Sequence, residues 1–404
     1  MQMKKQHINI LLGIGLFIII IAGLYAIRAW RMAKVKELMQ TAELPYGLLE
    51  ESVSYDGDNY LIPPTQIYDS GTILPALDNP KFDTVIEADS YLADDVEGID
   101  VEINGAHRFY SYQILNWHEV VNDSFGGKQL AITHCVFCKS SAVYNRVIDG
   151  KTINLQNSGK IYNNNQLLES NDGSLWLQLR GLGVSGKYIN QKLDGVTFQV
   201  VTWQNWKEHY PNGEVLSNDT GYVRDYGMHP YQNYDTAKTI YYPMNVESKY
   251  MSVKWEVEGL AINNDAIAFS DDIMKGMYVA NEVVDSMPIT GFWNSDLERT
   301  LVYSSVVGDQ TLTFTFDSGT QTMTDDQTSS TWDSNGKALS GALFGTQLSR
   351  IQTKPSFWMC WYSQYPQTQI AFIDTETDPE SDSTDQTEGS TLQIDTQQSD
   401  ATIE

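Results

Sequence analysis

Positive charge is scarce in this 404-residue sequence, which holds 26 Lys and Arg residues against 52 Asp and Glu residues. The formal net charge is −26, and ten of the acids lie in residues 374–404, where there is no Lys or Arg. A surface with this charge repels phosphate backbones. We therefore expect no nucleic-acid partner.

Cysteine is also rare. The three cysteines, Cys135, Cys138 and Cys360, are too few for the disulfide framework of a small secreted domain. Two of them lie three positions apart, which indicates a local site rather than a network of bridges. The sequence also lacks Gly-x-Ser-x-Gly and His-Glu-x-x-His, so the common hydrolase and zinc-protease signatures find no support here.

One long apolar run is present, at residues 8–27. Twenty helical residues at about 1.5 Å each span about 30 Å, the thickness of a bilayer's hydrocarbon core. The run is long for a signal peptide and no clear cleavage site follows it, so we expect a retained single-pass membrane anchor. Counting the flanking charges alone favours a cytoplasmic body. A short N-terminus before one span is, however, the usual layout for export, and we expect an extracytoplasmic body.

The remainder of the chain favours β structure. It is rich in Tyr, Trp, Thr and Val and contains most of the 29 glycines, residue types that suit strands and tight turns. Short alternating runs are common, and the segments 123–128 (DSFGGK) and 147–153 (VIDGKTI) predict two β-hairpins. The predicted fold class is mainly β, with a β-rich α+β character.

An internal repeat organises this region. Residues 142–155 (AVYNRVIDGKTINL) parallel residues 301–314 (LVYSSVVGDQTLTF), and shorter matches follow in the same order as far as WQNW at 203–206 and FWMCW at 357–361. The offset between the copies drifts only from 159 to 154 residues. The repeat predicts an internally duplicated β double domain behind one N-terminal transmembrane helix.

These patterns divide the chain into six parts. They are an N-terminal transmembrane anchor with its flanks (1–37), a linker and wrapping segment (38–114), a first β repeat unit with the Cys-x-x-Cys pair (115–215), a connecting segment with an RDYGMHPY loop (216–274), a second β repeat unit (275–373) and a disordered acidic tail (374–404). The tail has too few apolar residues to offset the entropy lost on ordering.

The first candidate site is His134, Cys135 and Cys138, within THCVFC. Two cysteines at this spacing can bind one metal ion, with zinc or Cu(I) the natural choices, or can form a small disulfide ring. The alternative is a pair of structural cysteines. The matching region of the second copy, residues 292–296 (FWNSD), lacks thiols, which favours a site confined to the first copy.

The second candidate site is a loop that crowds a cation, two carboxylates, phenols and an imidazole into one turn-rich stretch. Such loops on rigid scaffolds often carry function, and an arginine there can hold a carboxylate or phosphate. A structural arginine–aspartate pair packed by tyrosines is the alternative. The candidate ligand-binding residues are Arg224, Asp225, Tyr226, His229, Tyr231 and Asp235.

Together these segments resemble a known family. AITHCVFCKSSAVYNRVIDGK, SLW at 174–176, WQNWKEHYPNGEVL and RDYGMHPY occur in the order and spacing of the bacterial and archaeal family called domain of unknown function 3179, over about residues 100–373. The family typically has Cys-Pro-x-Cys where this chain has Val136, which relaxes the loop. The resemblance implies a β-rich protein that is exported or membrane-linked, and it implies no activity.

Three functions follow as hypotheses. The first is a membrane-anchored protein that binds zinc or copper, or acts as a thiol site, through Cys135 and Cys138. The second is a non-catalytic ligand- or protein-binding module of the cell envelope with structural cysteines. The third, an enzyme using the loop of Arg224, Asp225 and His229, ranks last because no nucleophile and base can be named. A small-molecule or protein partner is not identified by the sequence.

Overall fold

The computed structural model describes residues 48–49, 51–71, 74–263 and 265–372. Strands dominate, so the predicted mainly β class is confirmed. Helices are short: α1 is Val85–Ala88, α2 is Tyr112–His118, α3 is Trp203–His209, α4 is Asp271–Met277 and α5 is Trp358–Gln364.

The strands up to residue 216 are β1 (Val53–Tyr55), β2 (Asp58–Tyr60), β3 (Ile67–Asp69), β4 (Leu77–Asp78), β5 (Phe82–Thr84), β6 (Glu97–Ile103), β7 (Ala106–Ser111), β8 (Val120–Phe125), β9 (Lys128–Cys135), β10 (Ser140–Asn145), β11 (Val147–Ile148), β12 (Lys151–Thr152), β13 (Leu155–Tyr162), β14 (Asn165–Ser170), β15 (Leu175–Leu177), β16 (Leu182–Ser185), β17 (Asp194–Gly195), β18 (Gln199–Thr202) and β19 (Glu214–Leu216).

The later strands are β20 (Glu256–Ile262), β21 (Asp265–Ser270), β22 (Val279–Val284), β23 (Met287–Asn294), β24 (Arg299–Ser304), β25 (Val306–Val307), β26 (Gln310–Thr311), β27 (Phe314–Asp317), β28 (Thr322–Asp325), β29 (Thr331–Trp332), β30 (Lys354–Phe357) and β31 (Gln369–Ile370).

Two stretches of the chain carry the same succession of elements, and we call them the first unit (97–216) and the second unit (256–370). In the first unit the strand order β18-β6-β7-β19 forms the core of one sheet, and in the second unit the order is β30-β20-β21-β31. In both, the last strand of the unit runs parallel to the second strand of its first hairpin. A three-strand meander, a small hairpin and a second meander follow in each unit.

Each unit is closed by strands from its two ends. In the first unit β6 pairs with β18, about 100 positions later along the chain, and β20 pairs with β30 in the second unit. The recurring order of elements therefore begins at β6 and β20, upstream of residues 115 and 275. Within the segment 38–114, predicted to be a linker and wrapping segment, the structure forms β1 to β7 and α1.

Charged side chains join the two units where their first strands approach each other. Arg299 at the start of β24 lies 3.0 Å from Glu97 of the first unit and 2.7 Å from Glu258 of its own unit. Lys139, after β9, lies 3.1 Å from Glu97 and 2.7 Å from Glu256. Each of the two cations therefore pairs with one acid of each unit, and deletion of the buried Arg299 side chain would leave the buried Glu258 carboxylate uncompensated.

A tryptophan from the last helix of each unit packs against the unit's first strand. Trp206 of α3 donates from Nε1 to Asp100 at 2.7 Å, whereas Trp361 of α5 lies over Gly259. Both indoles are fully buried. A Cβ atom on Gly259 would lie 2.3 Å from the Trp361 ring, so only glycine leaves room for the indole.

We expect Gly259→Ala to destabilise the protein by about 1–3 kcal/mol, because the methyl group overpacks the buried Trp361 ring. Gly276→Ala in α4 is the matched control: no atom lies within 4 Å of the added Cβ, and alanine favours a helix by up to about 1 kcal/mol. Denaturant unfolding compares the two variants. Equal stability of both variants would contradict the packing argument.

The predicted anchor (8–27) and the predicted acidic tail (374–404) lie outside the described residues. Within the described ranges, no helix is long and apolar enough to cross a bilayer. The single-pass anchor and the disordered tail therefore remain predictions of the sequence.

Candidate functional site

The three cysteines meet in one buried cluster. Strand β9 ends at Cys135, and a 3-10 turn, Val136–Cys138, follows it. Cys138 forms a disulfide with Cys360 of α5, with a Cα–Cα distance of 5.6 Å, and Cys135 is a buried free thiol. Cys138 is thus bonded to the distant Cys360 and not to its sequence neighbour Cys135. Of the predicted pair, one cysteine is therefore oxidised in a disulfide and the other is a free thiol.

The Cys135 sulfur is surrounded by backbone donors. The Gln166 N–H donates to it at 3.4 Å, and the backbone N–H groups of Phe137 and Cys138, in the 3-10 turn that begins after Cys135, lie close to it. These donors favour a thiolate, but burial opposes it more strongly and raises the pKa of Cys135 to about 12, with a further contribution from the charge of Glu119. The thiol is therefore protonated at neutral pH in this conformation.

A buried carboxyl, Glu119, lies beside the thiol. It follows α2 in a left-handed conformation (φ 58°), and its side chain is about 1% exposed. One carboxyl oxygen accepts hydrogen bonds from the side-chain amides of Gln166, at 2.6 Å, and Asn157. Burial raises the pKa of Glu119 to about 8, although the Asn157 hydrogen bond lowers it. Glu119 can therefore gain or lose a proton near neutral pH.

Tyrosines of the segment 216–255 cover the turn that carries the disulfide. Tyr231, Tyr234 and Tyr242 pack around Phe137 with ring centroids 4.7, 5.5 and 5.2 Å away. The Tyr234 hydroxyl donates to the Phe137 carbonyl at 3.0 Å. The negative charge of Glu119 adds to burial in raising the pKa values of Tyr231 and Tyr242, which places both rings close to this carboxyl. The cover shields the thiol and the disulfide from water.

A buried hairpin turn holds this cover in place. Asn163 and Asn164 join β13 to β14 with φ values of 49° and 57°, a geometry that asparagine tolerates. The Asn164 amide donates to the Phe137 carbonyl at 2.9 Å and to the Tyr234 hydroxyl at 3.0 Å. The side-chain oxygen of Asn164 accepts a hydrogen bond from the Tyr242 N–H at 3.2 Å. One asparagine therefore links the disulfide turn to the tyrosine cover.

His134 points away from the thiol, as alternation along β9 requires. Its ring stacks on Tyr112 with centroids 4.1 Å apart, and Nδ1 lies 3.2 Å from the Ser141 hydroxyl. Burial, with the charge of Lys139, lowers the pKa of His134 to about 3, so the imidazole is neutral.

The predicted metal ligands His134, Cys135 and Cys138 are not assembled as a donor set. His134 faces the other side of the strand, and the Cys138 sulfur is bonded to Cys360. In the described part of the chain, no group of three or more His, Cys, Asp or Glu side chains is placed to hold a metal ion. These residues do not fit zinc or copper in this state, and the metal site stays a prediction.

The RDYGMHPY loop divides its candidate residues between separate contacts. The Tyr226 hydroxyl lies 2.7 Å from Nε2 of the buried His118 and 2.5 Å from the Thr220 hydroxyl. Arg224 donates to the Val223 carbonyl at 3.0 Å and lies over the Trp117 ring at 5.8 Å. These contacts fasten the beginning of the loop to α2.

The end of the loop turns towards the buried cluster of Cys135, Cys138 and Cys360, which we call the thiol cluster. His229 lies 3.6 Å from the carboxylate of Asp235, beyond hydrogen-bond range, and accepts from the Tyr231 N–H at 3.2 Å. Asp225 is exposed and caps the N–H of Gly227 at 3.1 Å. Of the six predicted ligand-binding residues, Tyr231 alone is placed against Phe137 and near Glu119, and ligand binding by the six as a set stays a prediction.

Sequence reasoning missed Glu119, although a signal was available. The predicted hairpin at 123–128 sets the register of β8 and β9, in which Val120 lies opposite Thr133. Extending that register by one residue places Glu119 opposite His134, and the His134 N–H donates to the Glu119 carbonyl at 2.8 Å. The amides of Asn157, Asn164 and Gln166 gave no such signal, because a bulge and a buried turn position them.

The fold and the site define a class of protein: a β-rich chain of two similarly ordered units with a thiol, a disulfide and a protonatable carboxyl buried together. The chain belongs to the family described as protein of unknown function (DUF3179), whose model matches residues 72–368. The predicted family is thereby confirmed. No curated protein and no solved structure matches this chain.

Proposed function

We propose that this protein is a thiol–disulfide exchange protein whose reacting groups are Cys135, Cys138 and Cys360. A single observation carries the proposal: a free thiol and a disulfide share one buried cluster, and Gln166 joins the free thiol to a buried carboxyl with a pKa of about 8, since its N–H donates to Cys135 and its side-chain amide donates to Glu119. Buried structural cysteines need no proton acceptor, whereas a thiol that attacks a disulfide must first lose its proton.

The exchange is balanced without an external oxidant. The Glu119 carboxylate takes the proton from Cys135, and the Cys135 thiolate attacks the Cys138 sulfur. The Cys138–Cys360 bond breaks as the Cys135–Cys138 bond forms, and Cys360 leaves with the electron pair and takes up one proton. One thiol and one disulfide are present before and after the step, so the chain changes connectivity and not oxidation state.

The tyrosine cover makes this step conditional. Cys135, Cys138 and Cys360 are at most about 1% exposed, and an unpaired thiolate is unfavourable in a dry site. Opening of the segment 216–255 would admit water and lower the pKa of Cys135 towards its ordinary value of 9.0. The described conformation is then the locked form, in which the disulfide ties α5 to the first unit.

The same proposal includes the predicted anchor and compartment. Disulfides persist in oxidising compartments, which supports an extracytoplasmic body held to a membrane by residues 8–27.

We also propose that the two units arose by duplication. The shared strand order supports a duplication. The thiol site developed in the first unit alone, because the residue of the second unit that corresponds to Cys135 is Asn294, at the end of β23.

Disulfide mapping of the full-length protein tests the exchange. After acid quench and thiol blocking, we expect a Cys138–Cys360 linkage with Cys135 labelled. After incubation at pH 8 in a glutathione buffer with mild denaturant to loosen the cover, we expect a fraction with Cys135–Cys138 linked and Cys360 labelled. Peptide mass spectrometry after digestion without reductant measures both species.

Glu119→Gln is the decisive variant for this experiment, because the amide keeps the shape and accepts the same hydrogen bonds but takes no proton. We expect the new linkage to form about 100-fold more slowly in this variant, the lower end of the usual contribution of a positioned base. The exposed Glu208 provides Glu208→Gln as a control with an unchanged rate. Absence of any Cys135–Cys138 linkage in the wild type would end the proposal.

A non-catalytic binding module with structural cysteines is the second candidate, favoured by the near-complete burial of all three cysteines. On this reading Cys135 is a packing residue. Cys135→Ser would then lower the melting temperature, and the Cys138–Cys360 linkage would never rearrange. Elemental analysis of the same purified protein tests for zinc or copper, whose loss in Cys135→Ser would instead support a metal site.

A further inference from the structure

Three cations gather at the turn between β15 and β16. Lys354 of β30 donates from Nζ to the Leu179 carbonyl and lies 3.1 Å from the Tyr144 hydroxyl. Arg180 is the next residue of that turn. Lys192 is brought to the same turn by its bridge to Leu182. The group, which we call the cation cluster, thus draws on three separate stretches of chain and on both units.

The cation cluster lacks carboxylate partners within the described residues. Arg180 donates to the backbone carbonyl of Gln364 at 2.8 Å and lies over the Tyr365 ring at 4.7 Å. No described carboxylate lies within 4 Å of Arg180, Lys192 or Lys354. In a chain with twice as many acids as bases, three neighbouring cations without an acid form an arrangement that repels itself.

A second observation points to a ligand. Gln364, whose carbonyl accepts from Arg180, is about 2% exposed, and neither polar atom of its side chain has a hydrogen-bond partner in the described chain. A buried amide without partners costs about 1–3 kcal/mol. Burial and the charges of Lys192 and Arg180 also lower the pKa of Lys354 to about 7. A bound anion would relieve the mutual repulsion of the cations.

We propose that the cation cluster binds the oxyanion group of a small molecule, a carboxylate or a phosphate. Arg180 offers the forked guanidinium geometry that both groups prefer, and Lys192 and Lys354 supply further charge. Gln364, whose backbone carbonyl contacts Arg180, adds an unpaired side-chain amide as a further donor. The site does not depend on the proposed exchange chemistry, because none of its residues belongs to the thiol cluster.

The helix α5 connects the two sites. Cys360 and Gln364 are four residues apart on α5 and so lie on the same helix face. Cys360 is tied to the first unit by the disulfide, and Gln364 is tied to it by the Arg180 hydrogen bond. An anion at the cation cluster would therefore act on the helix that the disulfide also holds.

Calorimetric titration of the full-length protein in detergent tests the site, with inorganic phosphate and citrate as separate probes at pH 7 and low salt. We expect saturable binding of one probe or both, and the stronger probe identifies the class of oxyanion. Arg180→Gln and Lys192→Gln should each weaken that binding about ten-fold. Lys151→Gln, at an exposed lysine of β12, should leave it unchanged.

Lys192 is exposed, so Lys192→Gln is expected to fold even if Arg180→Gln does not, and a melting curve of each variant checks this. Binding that weakens in Lys192→Gln but not in Lys151→Gln supports the site. No saturable binding of either probe, or equal binding by wild type and Lys192→Gln, overturns it.

Discussion

Glu119→Gln is expected to make the protein more stable than the wild type at pH 8, while leaving the stability near pH 4 almost unchanged. The Glu119 carboxyl is buried beside Cys135 and Tyr231, and the pKa of Glu119 rises from an ordinary 4.5 to about 8. Glutamine resembles the protonated acid in shape and keeps an oxygen to accept from Gln166 and Asn157. The variant therefore stays in the neutral form that the site favours.

The direction follows from proton counting. Between pH 4.5 and pH 8 the folded protein holds the Glu119 proton and the unfolded chain does not, so stability falls as the pH rises. The slope is about 1.4 kcal/mol per pH unit for one fully titrating group. Over this window the wild type is expected to lose several kcal/mol through Glu119, on the order of 3–5 kcal/mol as an upper bound, and the variant is not.

Another buried acid contributes to the same window. Burial and the charge of Glu258 raise the pKa of Asp271 to about 8, whereas burial lowers the pKa of His134 to about 3 and gives a slope of the opposite sign below about pH 6.5. Glu119→Gln should therefore remove the share of one acid and leave the other contributions in place. Urea unfolding at half-unit steps from pH 4.5 to 8 measures this, with Glu208→Gln as the exposed control. Parallel curves for wild type and Glu119→Gln would show that Glu119 is ionised in the folded protein.

Removing the disulfide is expected to cost about 5 kcal/mol at most. The bond joins Cys138 to Cys360 across 222 residues, and in the chain-entropy model a loop of about 100 residues already contributes about 4.7 kcal/mol. The double variant Cys138→Ala/Cys360→Ala avoids a leftover buried thiol. We expect its free energy of unfolding to fall by about 2–5 kcal/mol, the range seen on removal of native disulfides.

Cys135→Ala is the matched control for this experiment, since it also replaces a fully buried cysteine by alanine but cuts no link. We expect it to lose about 1 kcal/mol, through one deleted sulfur atom. Reduction of the wild type should reproduce the loss in the double variant. If Cys135→Ala proved as destabilising as the double variant, the resident bond in solution would be Cys135–Cys138.

Local features of the fold were within reach of the sequence. The hairpin predicted at 123–128 is the β8–β9 hairpin, and the Asp-Gly hairpin is β11–β12, with Asp149 and Gly150 at φ values of 49° and 72°. Both predictions are confirmed, because turn chemistry acts between neighbours and leaves a local signature. The β-rich class and the family were recognisable for similar reasons of composition and order.

Features that depend on residues far apart in the chain could not be predicted from the sequence. Strand β6 pairs with β18 and Cys138 with Cys360, over separations that no periodicity encodes. The close spacing of Cys135 and Cys138 suggested one shared site, whereas the strand end and the 3-10 turn send the two sulfurs to different partners. The acid of the site, Glu119, is identified by burial, and burial depends on the tyrosine cover that arrives from residues 216–255.

The span of the disulfide has a consequence for a cut chain. The segment between the units, residues 217–255, contains no strand or helix in the described structure and exposes Tyr222 and Val223, where a protease can reach the chain. A single cleavage there would separate β19 from β20 yet leave one covalent molecule, since Cys138 lies before the cut and Cys360 after it. Such a nicked protein would migrate as one band without reductant and as two fragments with it.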